Sequence, residues 1–158
     1  MRRKDREVKD FAQIMEILSK CEVMRVAMID KNEPYIVALN FGFETNGERL
    51  TLYFHGASEG RKIAVLSENP RVCFEADRLY AVATDKKEVC KSSCVYESVV
   101  GWGGGELVRE NEEKQTAIGA LIRRYGFEGT PSYDPAVFSR VLAWKIKVDT
   151  LSAKRRFT

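Results

Sequence analysis

Six strand-like runs separated by only a few helical patterns predict an antiparallel α+β domain or small barrel. Two features carry this: two-residue alternation of apolar and polar positions, and a strong hairpin signal at Thr45-Asn46-Gly47-Glu48 between two such runs. The elements follow in order. Residues 7–20 read as an amphipathic helix with Phe11, Ile14, Met15 and Leu18 on one face. Residues 23–29 then alternate, with Val23, Arg25, Ala27 and Ile29 against Met24, Val26 and Met28. Lys31-Asn32-Glu33-Pro34 supplies a turn into a longer strand over residues 35–43, and residues 50–54 form the third. Ser58 is an N-cap candidate for a helix running to Leu66, which Asn69-Pro70 ends. Residues 71–83 read as a fourth strand, residues 85–93 as a polar loop, and residues 96–108 as a fifth strand. Asn111 is expected to cap a helix to about Tyr125, with Ala117, Ile118, Leu121, Ile122 and Tyr125 in register. A loop over 126–133, a helical turn over 134–139 and a last strand over 141–148 complete the chain. No repeat, low-complexity tract or second domain interrupts it, so one domain over residues 1–158 is expected.

The bulk numbers agree. The chain has 158 residues, 44% of them hydrophobic, which is enough to bury a core. No apolar run has transmembrane length, and no hydrophobic signal region follows the basic start Met1-Arg2-Arg3-Lys4. A cytoplasmic protein without a membrane partner is therefore expected. A formal charge of +3, with 23 acidic residues interspersed, does not call for nucleic acid. Four cysteines are few for a disulfide scaffold, and the C-x₃-C pair Cys90 and Cys94 reads as a loop with two free thiols. With a single histidine, His55, no structural metal site is expected.

The most informative stretch is Tyr53-Phe54-His55-Gly56-Ala57-Ser58-Glu59-Gly60-Arg61-Lys62. It leaves a strand, passes two glycines and enters a helix with two cations in its first turn. Cations there oppose the helix macrodipole. Either they point into solvent, or they join the free N–H groups in holding an anion such as a phosphate. The glycine cluster Gly101-Trp102-Gly103-Gly104-Gly105 is not a dinucleotide fingerprint, because Glu106-Leu107-Val108 continues a strand where that motif needs a helix. Glycines inside a strand mark a bulge or the close approach of a ligand or another backbone. No Walker A sequence and no Ser-His-Asp arrangement is present.

Several blocks in order give the chain a family likeness. They are Arg2-Arg3-Lys4-Asp5-Arg6; Pro34-Tyr35-Ile36-Val37-Ala38-Leu39-Asn40-Phe41-Gly42; Leu52-Tyr53-Phe54-His55-Gly56-Ala57 with Gly60-Arg61-Lys62; Asn69-Pro70-Arg71-Val72-Cys73-Phe74; and Tyr96-Glu97-Ser98-Val99-Val100-Gly101. In these the sequence resembles the pyridoxamine 5′-phosphate oxidase-like superfamily of flavin-binding split barrels, in its nitroimidazole-resistance (Nim-like) branch. The resemblance implies a six-stranded antiparallel split β-barrel with flanking helices, forming a homodimer with a flavin in each of two clefts between subunits. FMN is the implied cofactor, with FAD as the alternative. Arg61 and Lys62 would grip its phosphate, helped by Ser58 and the backbone at Gly56 and Ala57. The strand from Tyr35 to Asn40 would line the ring, with Val37 and Leu39 as apolar contacts and Asn40 as a polar one. His55 would sit near the flavin and take part in the chemistry, while Glu97 and Ser98 would reach it from the second subunit. Trp102 could stack near the same cleft, and Trp144 is a weaker candidate. For Val37, Leu39 and Trp102 ordinary packing is the competing reading.

The arginine-rich C-terminal signature of true pyridoxamine phosphate oxidases is not recognisable in Ala153-Lys154-Arg155-Arg156-Phe157. The implied activity is therefore reduction of a small aromatic or nitro compound rather than vitamin B6 oxidation. The alternatives are a flavin-binding module that stores or senses the cofactor without turnover, and a haem binder on the same barrel.

Overall fold

The computed structural model describes residues 2–157. A 3₁₀ turn at Lys4–Arg6 leads into β1 (Glu7–Val8) and α1 (Phe11–Lys20). Next come β2 (Met24–Asp30), β3 (Glu33–Leu39), β4 (Gly42–Asn46) and β5 (Arg49–Gly56), then α2 (Arg61–Glu68) and β6 (Arg71–Ala83). The second half holds β7 (Ser93–Val108), α3 (Asn111–Arg124), α4 (Pro135–Arg140) and β8 (Leu142–Arg156). The strands form one sheet in the order β3-β2-β6-β7-β8-β5-β4, with β1 paired to the far end of β8, and every ladder is antiparallel.

That order explains the shape. The two terminal strands, β3 and β4, are joined in the chain by only Asn40 and Phe41. Three residue steps span roughly 10 Å at most, so the sheet must curl until its ends meet. No ladder joins β3 to β4 among the described residues, and the barrel is split there.

Eight strands stand where six were expected, and both additions have a local cause. Glu7 and Val8 do not start the first helix. They pair with Lys154 and Ala153, and the Asp10 side chain caps α1 by accepting from Gln13 N at 2.9 Å. The run over 35–43 breaks at Asn40-Phe41, because Phe41 is fully buried and its N–H donates to Tyr125 Oη at 3.2 Å instead of to a ladder. The last strand runs past residue 148, to Arg156. Asp149 is an extra residue there, since Trp102 pairs with Thr150 and Gly103 with Val148.

One face of the sheet is inward. Met24, Val26, Met28, Leu52, Phe74 and Ile146 meet Ile17 and Leu18 of α1 in the main core. On the opposite face, α3 covers the β5–β8–β7 end, packing Ala117 and Ala120 against Tyr53, Val108 and Ala143. The interior leaves little free space, because the glycines of β7 face it. A Cβ on Gly101 would overlap the Phe74 ring, and one on Gly105 would overlap Leu66 of α2. The cluster marks close approach of the protein's own side chains and a strand irregularity at Trp102–Gly103. Gly104 faces the other way, with nothing within 4 Å.

Gly101→Ala should therefore destabilise the protein by about 1–3 kcal/mol through overpacking against Phe74. Gly104→Ala should remain within about 1 kcal/mol of the parent. Chemical denaturation of the two variants checks this, and equal losses would contradict the inward assignment of Gly101.

Candidate functional site

Strand β5 ends at Gly56, and an exposed loop carries the chain to α2. The helix starts two residues later than Ser58 would have started it. Gly60 is the N-cap at φ 123°, a backbone shape that suits glycine, and no side chain caps the helix. The N–H groups of Ile63 and Ala64 both bond Gly60 O, at 3.0 and 3.2 Å, so those of Arg61 and Lys62 have no partner within the helix. No acidic residue lies in the first turn. The start of α2 thus combines free donors, the positive end of the dipole and two cations.

The two cations are held differently. The Lys62 side chain folds back over the end of β5, with its ammonium 3.1 Å from where a Cβ on Gly56 would stand. It makes no ion pair among the described residues. Arg61 donates from Nε to Asp30 Oδ2 at 2.6 Å, and its guanidinium lies 4.4 Å from the Tyr35 ring centre. Asp30 and Tyr35 come from the β2–β3 hairpin, whose Lys31-Asn32 turn has φ of 50° and 71°. Sequence did not single out Asp30, and it placed Tyr35 only in the ring-lining strand, because their contact with Arg61 crosses between elements.

His55 is exposed on the outer side of β5, paired in register with Ala143, and its imidazole has no hydrogen-bond partner among the described residues. Gly56, Ala57 and Ser58 follow it at the mouth of the same loop. Val37 and Leu39 face inward from β3 and pack on the main core, while Asn40 is exposed at the β3–β4 join. Since β3 pairs only with β2, its other edge offers unpaired backbone donors and acceptors.

The remaining candidates separate by strand parity. Glu97 faces inward and is fully buried. Its carboxylate accepts from Arg155 Nε and from Tyr80 Oη, both at 2.5 Å, with Lys20 Nζ at 3.9 Å. Burial of the hydroxyl and the adjoining carboxylate hold the Tyr80 phenol above its ordinary range. Glu97 is thus engaged by residues of its own chain. Ser98 and Trp102 face outward and line a groove of about 330 Å³ with Arg2, Val100, Ser152 and Lys154. Beside it one ladder row, Ile36–Ala27–Cys73–Trp102–Thr150, crosses five strands. Ile36 is 62% exposed, Ile29 46% and Trp102 40%, and together they give this part of the outer face an apolar surface. Trp144 belongs to the core, stacked on Phe54 with ring centres 4.2 Å apart, and not to a cleft.

No cluster of three metal-ligating side chains occurs among the described residues. Cys90 is exposed, Cys94 partly so, and burial pushes the Cys21 thiol up to about 11. No helix among the described residues is long and apolar enough to cross a membrane.

Known proteins resemble this arrangement. Residues 10–155 match the family model described as pyridoxamine 5′-phosphate oxidase. A candidate 5-nitroimidazole antibiotic resistance protein from Bacteroides thetaiotaomicron is 30% identical, with a TM-score of 0.80 over 94% of this chain and 85% of that one. The FAD and heme binding protein of Mycobacterium smegmatis superposes with a TM-score of 0.81 at 19% identity, covering 97% of this chain and 74% of that one. An FAD-binding protein from Mesorhizobium loti gives 0.67 at 18% identity, covering 96% and 97%. These last two likenesses speak to the fold. No curated protein matches the chain. Matched over nearly its whole length by the family model, and sharing its split-barrel fold, the chain belongs to the pyridoxamine 5′-phosphate oxidase family, in the nitroimidazole-resistance-like branch.

Proposed function

We propose that this protein binds a flavin, FMN first and FAD as the alternative, and uses it to reduce a small aromatic or nitro compound. The observation that carries the reading is the start of α2: uncapped amides, Arg61, and Lys62, which is folded over Gly56 without an ion-pair partner among the described residues. Such a cradle fits a phosphate monoester, with donors supplied by the backbone and point charges by the side chains. Family membership and the flavin-binding relatives support the same ligand.

In this reading Arg61, Lys62 and the loop from Gly56 to Ser58 hold the phosphate. The open edge of β3 near Val37, Leu39 and Asn40 presents backbone groups to the polar side of the ring. When bound, the flavin would supply the electrons, taken in turn from a nicotinamide nucleotide or a reductase, and the protein positions it and limits access of water. His55 holds a proton on an imidazole nitrogen for delivery to the reduced substrate. A second copy of the chain covers the apolar outer face around Ile29, Ile36 and Trp102, so that Ser98 and Trp102 complete the partner's cleft. A homodimer of this kind buries exposed apolar surface that a monomer would leave in water.

One observation favours the second reading, a flavin-binding module without turnover. No side chain orients His55 among the described residues, whereas a catalytic imidazole is ordinarily held by a second group.

Purified protein should carry flavin absorbance bands, and mass spectrometry of the material released by heat should return FMN; a colourless protein that takes up neither FMN nor FAD would refute the proposal. Replacing Arg61 and Lys62 together by Ala should weaken FMN binding by about one to two orders of magnitude, since each charge-assisted contact is partly screened. Trp102→Glu should yield a monomer by light scattering with loss of flavin. A variant that stays dimeric would exclude the outer face as the interface.

A further inference from the structure

Resting on the phosphate reading of α2, we infer that Asp30 and Tyr35 are positioning residues for Arg61 and thereby set the preference of the site for a phosphorylated flavin over its dephosphorylated form. The inference begins with a carboxylate in an unexpected place. Asp30 lies beside a proposed anion site, where its charge opposes the ligand. Its side chain is only 18% exposed, so that opposition is only partly screened by water. The geometry gives it a compensating role. It accepts from Arg61 Nε, at 2.6 Å, and no hydrogen bond engages either terminal nitrogen of that guanidinium among the described residues.

An arginine held at Nε keeps its Nη1–Nη2 end free as a fork, which matches two oxygens of a phosphate. Tyr35 lies 4.4 Å from the guanidinium and limits its motion on a second side. Both supports come from one tight hairpin, in which Asp30 pairs with Glu33 and Met28 with Tyr35. Arg61 itself is 58% exposed at the head of a helix whose N-cap is a glycine. Without the hairpin it would sample many rotamers, and ordering it would fall to the ligand. Lys62, which has no such partner, contributes charge without direction.

The test compares FMN with riboflavin, which share the ring and differ in the phosphate. Flavin-free protein is titrated with each, by quenching of flavin fluorescence, at one fixed ionic strength. Wild type should prefer FMN, and Arg61→Ala should remove much of that preference. Asp30→Ala should weaken FMN binding about tenfold and leave riboflavin binding unchanged, so the ratio falls. Asp30→Asn keeps an acceptor for Nε–H and removes the opposing charge, so its ratio should equal or exceed that of wild type. Tyr35→Leu should lower the ratio in the same direction as Asp30→Ala, and it carries the test if Asp30→Ala does not fold. A purely structural role would lower the melting temperature and both affinities together, leaving the ratio intact. That result overturns the inference, as does a ratio that rises in Asp30→Ala, which would make Asp30 a competitor of the phosphate. A wild-type protein with no preference for FMN instead removes the phosphate reading itself, and this inference with it.

Discussion

Two residues hold the barrel shut. Asn40 and Phe41 connect strands that lie at opposite ends of the sheet, so curvature is imposed by chain connectivity as well as by twist. The join is pinned rather than loose. Phe41 is fully buried, with the Arg124 guanidinium 4.1 Å from its ring centre. Arg124 also donates to Leu18 O at 3.0 Å, to Ser19 O at 3.1 Å and to Cys21 O, closing the last turn of α1. Tyr125 Oη accepts from Phe41 N and donates to Glu22 O at 2.7 Å. The ends of α1 and α3 and the edge-to-edge join therefore meet at one point. Its cost is a buried Arg124 Nε without an acceptor among the described residues.

This constraint decides where a ligand can go. A small barrel whose interior is filled by Phe74, Ile146 and Leu66, fitted against glycines of β7, has no room for a planar cofactor inside. The remaining places are the strand ends, the open edge of β3 and the outer face. The uncapped start of α2 sits at the end of β5, and the apolar surface around Trp102 lies on the outer face. The same packing thus explains the solid core and leaves only the outside of the barrel for the proposed site.

Much of this was legible in the sequence where one physical rule governed the residues. β6 occupies residues 71–83 as read, because Pro70 precedes it and a polar loop follows. The cations at the start of α2 were visible because they contradict the dipole. What escaped notice depended on contacts between distant segments. The hydrophobic run over 35–43 continues through the β3–β4 break, and only Tyr125, 84 residues on, shows why the ladder stops. Ser58 has the better chemistry for a cap, but the positive φ at Gly60 fixes the helix start. The ion pair of the buried Glu97 carboxylate with Arg155, 58 residues away, is likewise invisible in the local pattern. The contacts of Asp30 and Tyr35 with Arg61 are hidden from sequence for the same reason.

The position of β8 has a consequence for how the molecule is made. It follows every other strand in the chain, yet it lies between β7 and β5, and its far end also carries β1. During synthesis the β6–β7 hairpin and the β4–β5 hairpin can form early, but no ladder joins them until β8 has left the ribosome. Until then the free edges of β5 and β7 are open to pairing with other nascent chains. The protein should thus be born as two halves that wait for their shared middle strand, with assembly governed by long-range contacts and slow for its size.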